Sequence, residues 1–206
     1  MAHAAPYDRE AALDAAMALF WNKGFHATSL KDLEAGLQMK PGSIYAAFTS
    51  KENLYLLALD RYFQQSRKGF RAMMADAASP LSGLAGHFRS YAALDQDDAA
   101  RQACMLTKTL VDTRTTDPAL AAKARDYMTA MHQEFSTSFT SAIALGELPQ
   151  SADPDRLARR FQANIAALRL ELARGADAAD VVALAEDMVS ELMALRIRGL
   201  RARNPV

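Results

Sequence analysis

Three helix-start signals crowded into residues 28–53 constrain this chain more than any other feature. Ser29 stands three residues before Asp32, an acidic form of the reciprocal capping pair, so a helix begins after Ser29. It has room for about two turns before Gln38-Met39. Lys40-Pro41-Gly42-Ser43 then opens a second helix over 41–48, because proline's fixed φ and missing N–H suit a first helical turn. Thr49 and Glu52 repeat the capping spacing and start a third helix at once. A short helix, a tight turn and a second short helix with small residues on its outer face is a geometry that fits a DNA major groove.

The rest of the chain is punctuated in the same helical style. Half of its residues are hydrophobic, and no alternating Val/Ile/Thr run signals a strand, so the expected class is all-α. About nine helices are predicted: 7–22, stopped by Gly24; 29–36; 41–48; 51–78; 81–94; 99–113; 118–145; 154–174; and 177–199. Asp117-Pro118 and Asp153-Pro154 each place an N-cap before a proline, and Gly146 and Gly175 act as stops. The Asp95–Asp98 cluster reads as a loop, and the Arg198–Arg203 tail as a solvated end. Residues 1–52 are expected to form a helix-turn-helix domain and 53–206 a second helical domain, joined by the helix at 51–78.

Several functions are argued against. No apolar run reaches the roughly 18 residues of a membrane span, and a secretory signal is absent, so cytoplasmic residence is expected. One cysteine rules out an internal disulfide framework. His3, His26, His87 and His132 are isolated, and no glycine-rich phosphate loop or hydrolase-type serine motif occurs. No catalytic residue, metal or cofactor is predicted, and the chain is not read as an enzyme. Formal net charge is zero, and the first sixty residues carry five basic against seven acidic side chains. DNA binding therefore requires Lys23, Lys31, Lys40 and Lys51 to gather on one side, since screening cuts charge effects beyond roughly 8 Å at physiological salt.

The segment from Ala11 to Tyr62 resembles the DNA-binding domain of TetR-type transcriptional repressors. The resemblance rests on Ala15-Ala16-Met17-Ala18-Leu19-Phe20, Lys23-Gly24-Phe25-His26-Ala27-Thr28-Ser29-Leu30, Gly42-Ser43-Ile44-Tyr45, Phe48 and Ser50-Lys51-Glu52-Asn53-Leu54, in this order. Two positions depart from the family pattern: Gln38 stands where glycine is usual at the turn, and Lys40 where Ser or Thr usually caps the recognition helix. Gln38 must then adopt a conformation that glycine takes without steric cost. The resemblance implies a homodimer that binds a palindromic double-stranded DNA operator through residues 1–52, senses and dimerises through 53–206, and is released by a small-molecule or electrophile/oxidant signal.

Candidate DNA-binding residues are Thr28, Ser29, Lys40, Pro41, Gly42, Ser43, Tyr45, Ala46 and Lys51. Gly42 and Ala46 leave room for base edges, and Ser43 can donate or accept there. Thr28, Ser29 and Lys51 sit at helix starts suited to phosphates, and the resemblance assigns Tyr45 a phosphate contact. Ile44 and Phe48 are expected to face inward. Leu157, Phe161, Ile165, Leu168 and Leu172 form one apolar stripe; Val181, Leu184, Met188, Leu192 and Leu195 form another. Periodicity leaves open whether these stripes fill the chain's own core or pair with a second copy; the resemblance implies pairing. Sensor candidates are Cys104, Tyr91, Met105, Met128, Met131, His132 and Phe135, with ordinary core packing as the alternative. Cys104 lies three residues after Arg101 and four before Lys108, so both cations share its helix face if all three are helical. Two other functions stay open: a helical protein-interaction adaptor without DNA binding, and a cysteine-dependent enzyme.

Overall fold

The computed structural model describes residues 8–94 and 103–196. Among these, nine helices form: α1 (Arg9–Lys23), α2 (Leu30–Leu37), α3 (Pro41–Phe48), α4 (Lys51–Asp76), α5 (Pro80–Ala92), α6 (Met105–Thr113), α7 (Pro118–Ala144), α8 (Pro154–Ala173) and α9 (Ala178–Ala194). No strand occurs among the described residues, in agreement with the all-α expectation. The chain divides into two compact units. One comprises the described part of Met1–Ser66 with Cys104–Tyr127; the other, the described part of Arg67–Ala103 with Met128–Val206.

The first unit is built on α1–α3. Ala16, Phe20, Leu33, Ile44, Phe48 and Leu54 are almost wholly buried and supply its centre. Asp8 caps α1 through the amides of Glu10 and Ala11. Gly24 ends it at φ 84°, and an added Cβ would stand 3.2 Å from the Asp112 carboxylate, so both conformation and space call for glycine. The amino-terminal part of α4 packs here through Leu54, Tyr55, Ala58 and Leu59. Arg61 ties α4 to α1: its Nε and Nη2 donate to Asp14 at 2.5 and 2.6 Å, and Nη1 donates to Glu10. α6 completes the unit. Tyr55 and Thr109 share a buried hydroxyl hydrogen bond of 2.6 Å. The Lys108 ammonium donates to the carbonyls of Trp21 and Asn22 at 2.6 and 3.0 Å, in the last turn of α1. It satisfies acceptors that the helix end leaves over and places positive charge at the negative pole.

The second unit has an aromatic centre. Phe70, Phe88, Phe135, Phe139 and Phe161 are each at most 3 % exposed and pack with Leu168, Leu172, Val181 and Leu192. α5 lies along α9, with α8 against both. Glu147 pins the start of α5: its carboxylate accepts from the Leu81 amide at 3.0 Å, from the Ser79 hydroxyl at 2.7 Å, and from Arg196. Burial pushes the Glu147 pKa up, but the Leu81, Ser79 and Arg196 donors win and hold it below the ordinary value.

Four sequence expectations are corrected. α4 ends at Asp76, two residues early. Its cap is Ser50, whose hydroxyl accepts from the Asn53 amide at 3.0 Å; Thr49 instead closes α3 at φ 70° and donates its amide to Tyr45. The sixth helix starts at Met105, with Cys104 at the N-cap position, so Cys104 is not within a helical turn. The Asp95–Asp98 cluster, Arg101 and the predicted start at Ala99 lie outside the described residues, as do the Arg198–Arg203 tail and Gly199. Finally, Phe161, Ile165, Leu168, Leu172, Val181, Met188 and Leu192 are buried in the core of their own chain, Leu157 and Leu184 are half-buried, and Leu195 is 37 % exposed. The stripe therefore serves chiefly the fold of one protomer. The outward faces of the same helices carry Ala163, Ala166, Ala167 and Leu170 on α8, and Ala179, Val182 and Ala183 on α9.

Candidate nucleic-acid interface

Local chemistry fixes α2 and the turn that leads into α3. Ser29 and Asp32 complete the reciprocal cap of α2: the Asp32 amide donates to Ser29 Oγ at 3.2 Å, and the Ser29 amide donates to Asp32 at 2.8 Å. Lys23 donates to the same carboxylate at 2.5 Å. Lys23 first, then Ser29, holds the Asp32 carboxyl well below the usual carboxylate range. Gln38 closes α2 in the left-handed region at φ 53°, ψ 36°, the conformation expected where glycine is missing. Lys40 is the N-cap of α3 without a side-chain cap bond, which leaves its exposed ammonium to solvent.

The orientation of α3 follows from what it buries. Ile44 and Phe48 are each 1 % exposed, anchored in the first unit's core. Gly42, Ser43, Tyr45 and Ala46 are exposed, Tyr45 at 43 %, and Pro41 is half-buried. A Cβ added at Gly42 would meet nothing within 4 Å, so this helix start offers open room for a partner. The α3 face is small and uncharged, flanked by Lys40.

Other candidate residues are placed differently. Thr28 is fully buried, and its hydroxyl donates to the Gly24 carbonyl at 2.7 Å. The Ser29 hydroxyl donates to Asp32 at 2.8 Å. Both hydroxyl hydrogens are thus engaged within the protein. Lys51 is half-buried with its ammonium 4.6 Å from the Phe25 ring centre. Burial lowers its pKa, against the opposing pull of Asp117 and Asp32. Of the four lysines that were expected to gather, Lys23 is spent on Asp32, whereas Lys31 and Lys40 are exposed without an ion pair to another described residue.

The sensor candidates fall into both units. Cys104 and Met105 belong to the first; Tyr91, Met128, Met131, His132 and Phe135 to the second. Cys104 is half-buried, and the Tyr62 hydroxyl donates to its sulfur at 3.6 Å. Lys108 points to α1 rather than to Cys104. His132 Nε2 lies 2.6 Å from an Asp155 oxygen. Phe135 is buried among Phe70, Phe161 and the His87 ring. Sequence reasoning did not single out His87 as a site residue: its Nδ1 is shut off from solvent with no hydrogen-bond partner among the described residues. Nothing in its local sequence marks it, because three of the rings around it, Phe70, Phe135 and Phe161, come from α4, α7 and α8. Lys108 was likewise missed as the cap of α1, eighty-six residues away from Asn22. Among the described residues, no group of three or more His, Cys, Asp or Glu side chains could hold a metal ion, and no helix is long and apolar enough to cross a membrane.

Comparison with known proteins agrees with this fold. The profile described as "Bacterial regulatory proteins, tetR family" matches residues 12–58, and "Tetracyclin repressor-like, C-terminal domain" matches 80–186. The chain is 31 % identical over 173 residues to the HTH-type transcriptional repressor ComR of Escherichia coli (strain K12), covering 82 % of this chain and 81 % of that one. A cysteine mutant of the TetR family transcriptional regulator CifR, solved with a 26-bp double-strand operator DNA, is 26 % identical with a TM-score of 0.81, over 91 % of this chain and 98 % of that one. A TetR family regulator from Cytophaga hutchinsonii shares the fold at a TM-score of 0.81 and 20 % identity, over 92 % and 95 % of the two chains. With both its halves matched and a repressor relative along most of its length, the chain belongs to the tetR family of bacterial DNA-binding regulatory proteins.

Proposed function

We propose that the protein represses transcription by binding a palindromic operator as a homodimer, and that a signal received in its carboxy-terminal part releases it. The observation that carries this reading is the split of α3: Ile44 and Phe48 are locked inside while Lys40, Gly42, Ser43, Tyr45 and Ala46 are presented to solvent. Ser43 and the open space at Gly42 and Ala46 meet base edges; Lys40 and Tyr45 meet phosphates. Lys51 joins them only by leaving the Phe25 ring. Two copies place two such helices about 34–36 Å apart, or a multiple, to match successive turns of duplex. The operator-bound CifR and the repressor ComR support this reading.

The test is a fluorescence-anisotropy titration against the chain's own promoter DNA and random duplex. Tight binding to the promoter, salt-dependent on both, is expected; equal weak binding to both overturns the operator reading. Changing Ser43 alters base preference by about 1–3 kcal/mol, whereas Tyr45→Phe weakens all sequences alike.

Cys104 is the proposed electrophile or oxidant receiver. It is half-buried at the start of α6, in the unit that also contains α1–α3. Alkylation of the intact protein is expected to lower operator affinity, and Cys104→Ser to abolish that response. Unchanged affinity after complete alkylation refutes this role.

A further inference from the structure

By composition, the head formed by α1–α3 and the start of α4 disfavours DNA, yet most of its acids are engaged within the protein. Asp8 caps α1, Glu10 and Asp14 are held by Arg61, and Asp32 accepts from Lys23 and Ser29. Asp60 accepts from the Tyr127 hydroxyl at 2.6 Å. Glu34 and Glu52 remain, on α2 and in the first turn of α4. Lys23 and Lys51 are engaged as well, on Asp32 and over Phe25. Arg9 is not. It is exposed at the start of α1 and makes no ion pair with another described residue. Its guanidinium carbon lies over the Phe48 ring, 5.3 Å from the ring centre. Phe48 is the last residue of α3 and is 1 % exposed, so Arg9 stands where the start of α1 meets the end of the reading helix. α1 itself gains nothing from a cation in its first turn, because that end of a helix is its positive pole.

The eight residues of α3 make a helix about 12 Å long, and the major groove of B-form DNA is about 12 Å wide. Lys40 at its start and Arg9 at its end bracket the small, uncharged face with two cations, at a spacing comparable with that of the two backbones bordering the groove. A guanidinium resting on a ring keeps its N–H donors at its edges, and that planar fork fits two oxygens of one phosphate. The ring also restricts the side chain beforehand, which lowers the entropy lost on binding. We infer that Arg9 grips a backbone phosphate at the end of α3 opposite Lys40, so that each head holds the duplex at both ends of its reading helix. This contact presupposes the repressor reading and adds to it a residue of α1, outside the α2–α3 pair. Phosphate carries no base information, so Arg9 positions α3 and leaves sequence preference to Gly42, Ser43 and Ala46. The rival role is structural: a lid on Phe48 and a favourable charge at the negative end of α3.

The experiment is fluorescence anisotropy of the full chain on its own promoter duplex and on random duplex across a salt series. Arg9→Met keeps a long apolar chain over Phe48 and removes the charge; Arg9→Lys keeps the charge. With one phosphate per copy, Arg9→Met in the dimer is expected to lower the slope of log affinity against log salt by about 2, and the double variant with Lys40→Ala by about 4. Arg9→Lys is expected to retain the wild-type slope, and every variant to keep the promoter-to-random affinity ratio within about twofold. A second readout alters the DNA, with a neutral methylphosphonate placed at each operator phosphate in turn. At the phosphate that Arg9 holds, this should weaken the wild-type protein and leave Arg9→Met unaffected. Should Arg9→Met melt below the assay temperature, Arg9→Gln takes its place in both measurements. The inference is overturned if the variant keeps the wild-type slope, if its promoter-to-random ratio collapses, or if no methylphosphonate distinguishes it from wild type. A slope lowered by Lys40→Ala but not by loss of the Arg9 charge sinks this contact alone. Wild-type binding that ignores both salt and sequence overturns it together with the repressor reading.

Discussion

Gln38 occupies a backbone conformation that glycine adopts without penalty, at φ 53° and ψ 36°. Gln38→Gly is expected to stabilise the first unit by about 0.5–1 kcal/mol, the left-handed penalty less glycine's greater freedom in the unfolded chain. Urea unfolding measures it, and a lower midpoint would show that the Gln38 side chain does more than fill the turn. Ser29→Ala removes the α2 cap and should cost about 1 kcal/mol in the same assay. His87 makes a pH prediction. Its ordinary pKa is 6.5 and its folded value is pushed down to about 4, with Arg169 the charged group beside it. Between these values the unfolded chain binds the extra proton, so stability falls as pH drops through that window, by at most about 1.4 kcal/mol per pH unit. His87→Phe should flatten this part of the stability profile; an unchanged slope would place the titration elsewhere.

At the scale of elements, α8 and α9 show why periodicity alone is ambiguous. A helix stripe at three- and four-residue spacing says that a face is buried, not against what. Phe161 to Leu172 meets the chain's own α5 and aromatic centre, so the faces left for a second copy are the alanine-rich ones with Leu170 and Val182, 62 % and 45 % exposed. Leu170→Glu is expected to shift sedimentation toward single chains while changing single-chain stability by no more than about 0.5 kcal/mol, whereas Phe161→Ala should cost about 3–5 kcal/mol. An unaltered mass for the glutamate variant would move the interface off α8. Helix starts marked by Asp-Pro or Ser-x-x-Asp, and stops marked by glycine, were readable because the chemistry that ends a helix is local. Thr49 was misread as a cap because the left-handed residue ending α3 displaced the signal onto Ser50. The inward face of α3 was legible from Ile44 and Phe48 alone. Contacts such as Lys108 to Trp21, and those of Phe70, Phe135 and Phe161 with His87, were not, because they join segments remote in sequence.

For the whole molecule, charge decides how DNA binding responds to salt. The chain is neutral, Lys23 is neutralised by Asp32, and Lys31 and Lys40 stand exposed near the α2 and α3 starts. If each copy of Lys40 contacts one phosphate, Lys40→Ala in a dimer should reduce the salt slope by about 2 while leaving sequence preference intact. A slope unchanged by Lys40→Ala removes it from the phosphate contacts. The interleaving of the compact units has a practical side for anyone exchanging parts between relatives. Since residues 104–127 share a compact body with residues 8–66, a transplant cut once, after Ser66, would carry Tyr55 away from Thr109 and the end of α1 away from Lys108. A functional chimera of this regulator needs three splices, at 66/67, 103/104 and 127/128, bringing a discontinuous donor fragment whose two pieces were selected together.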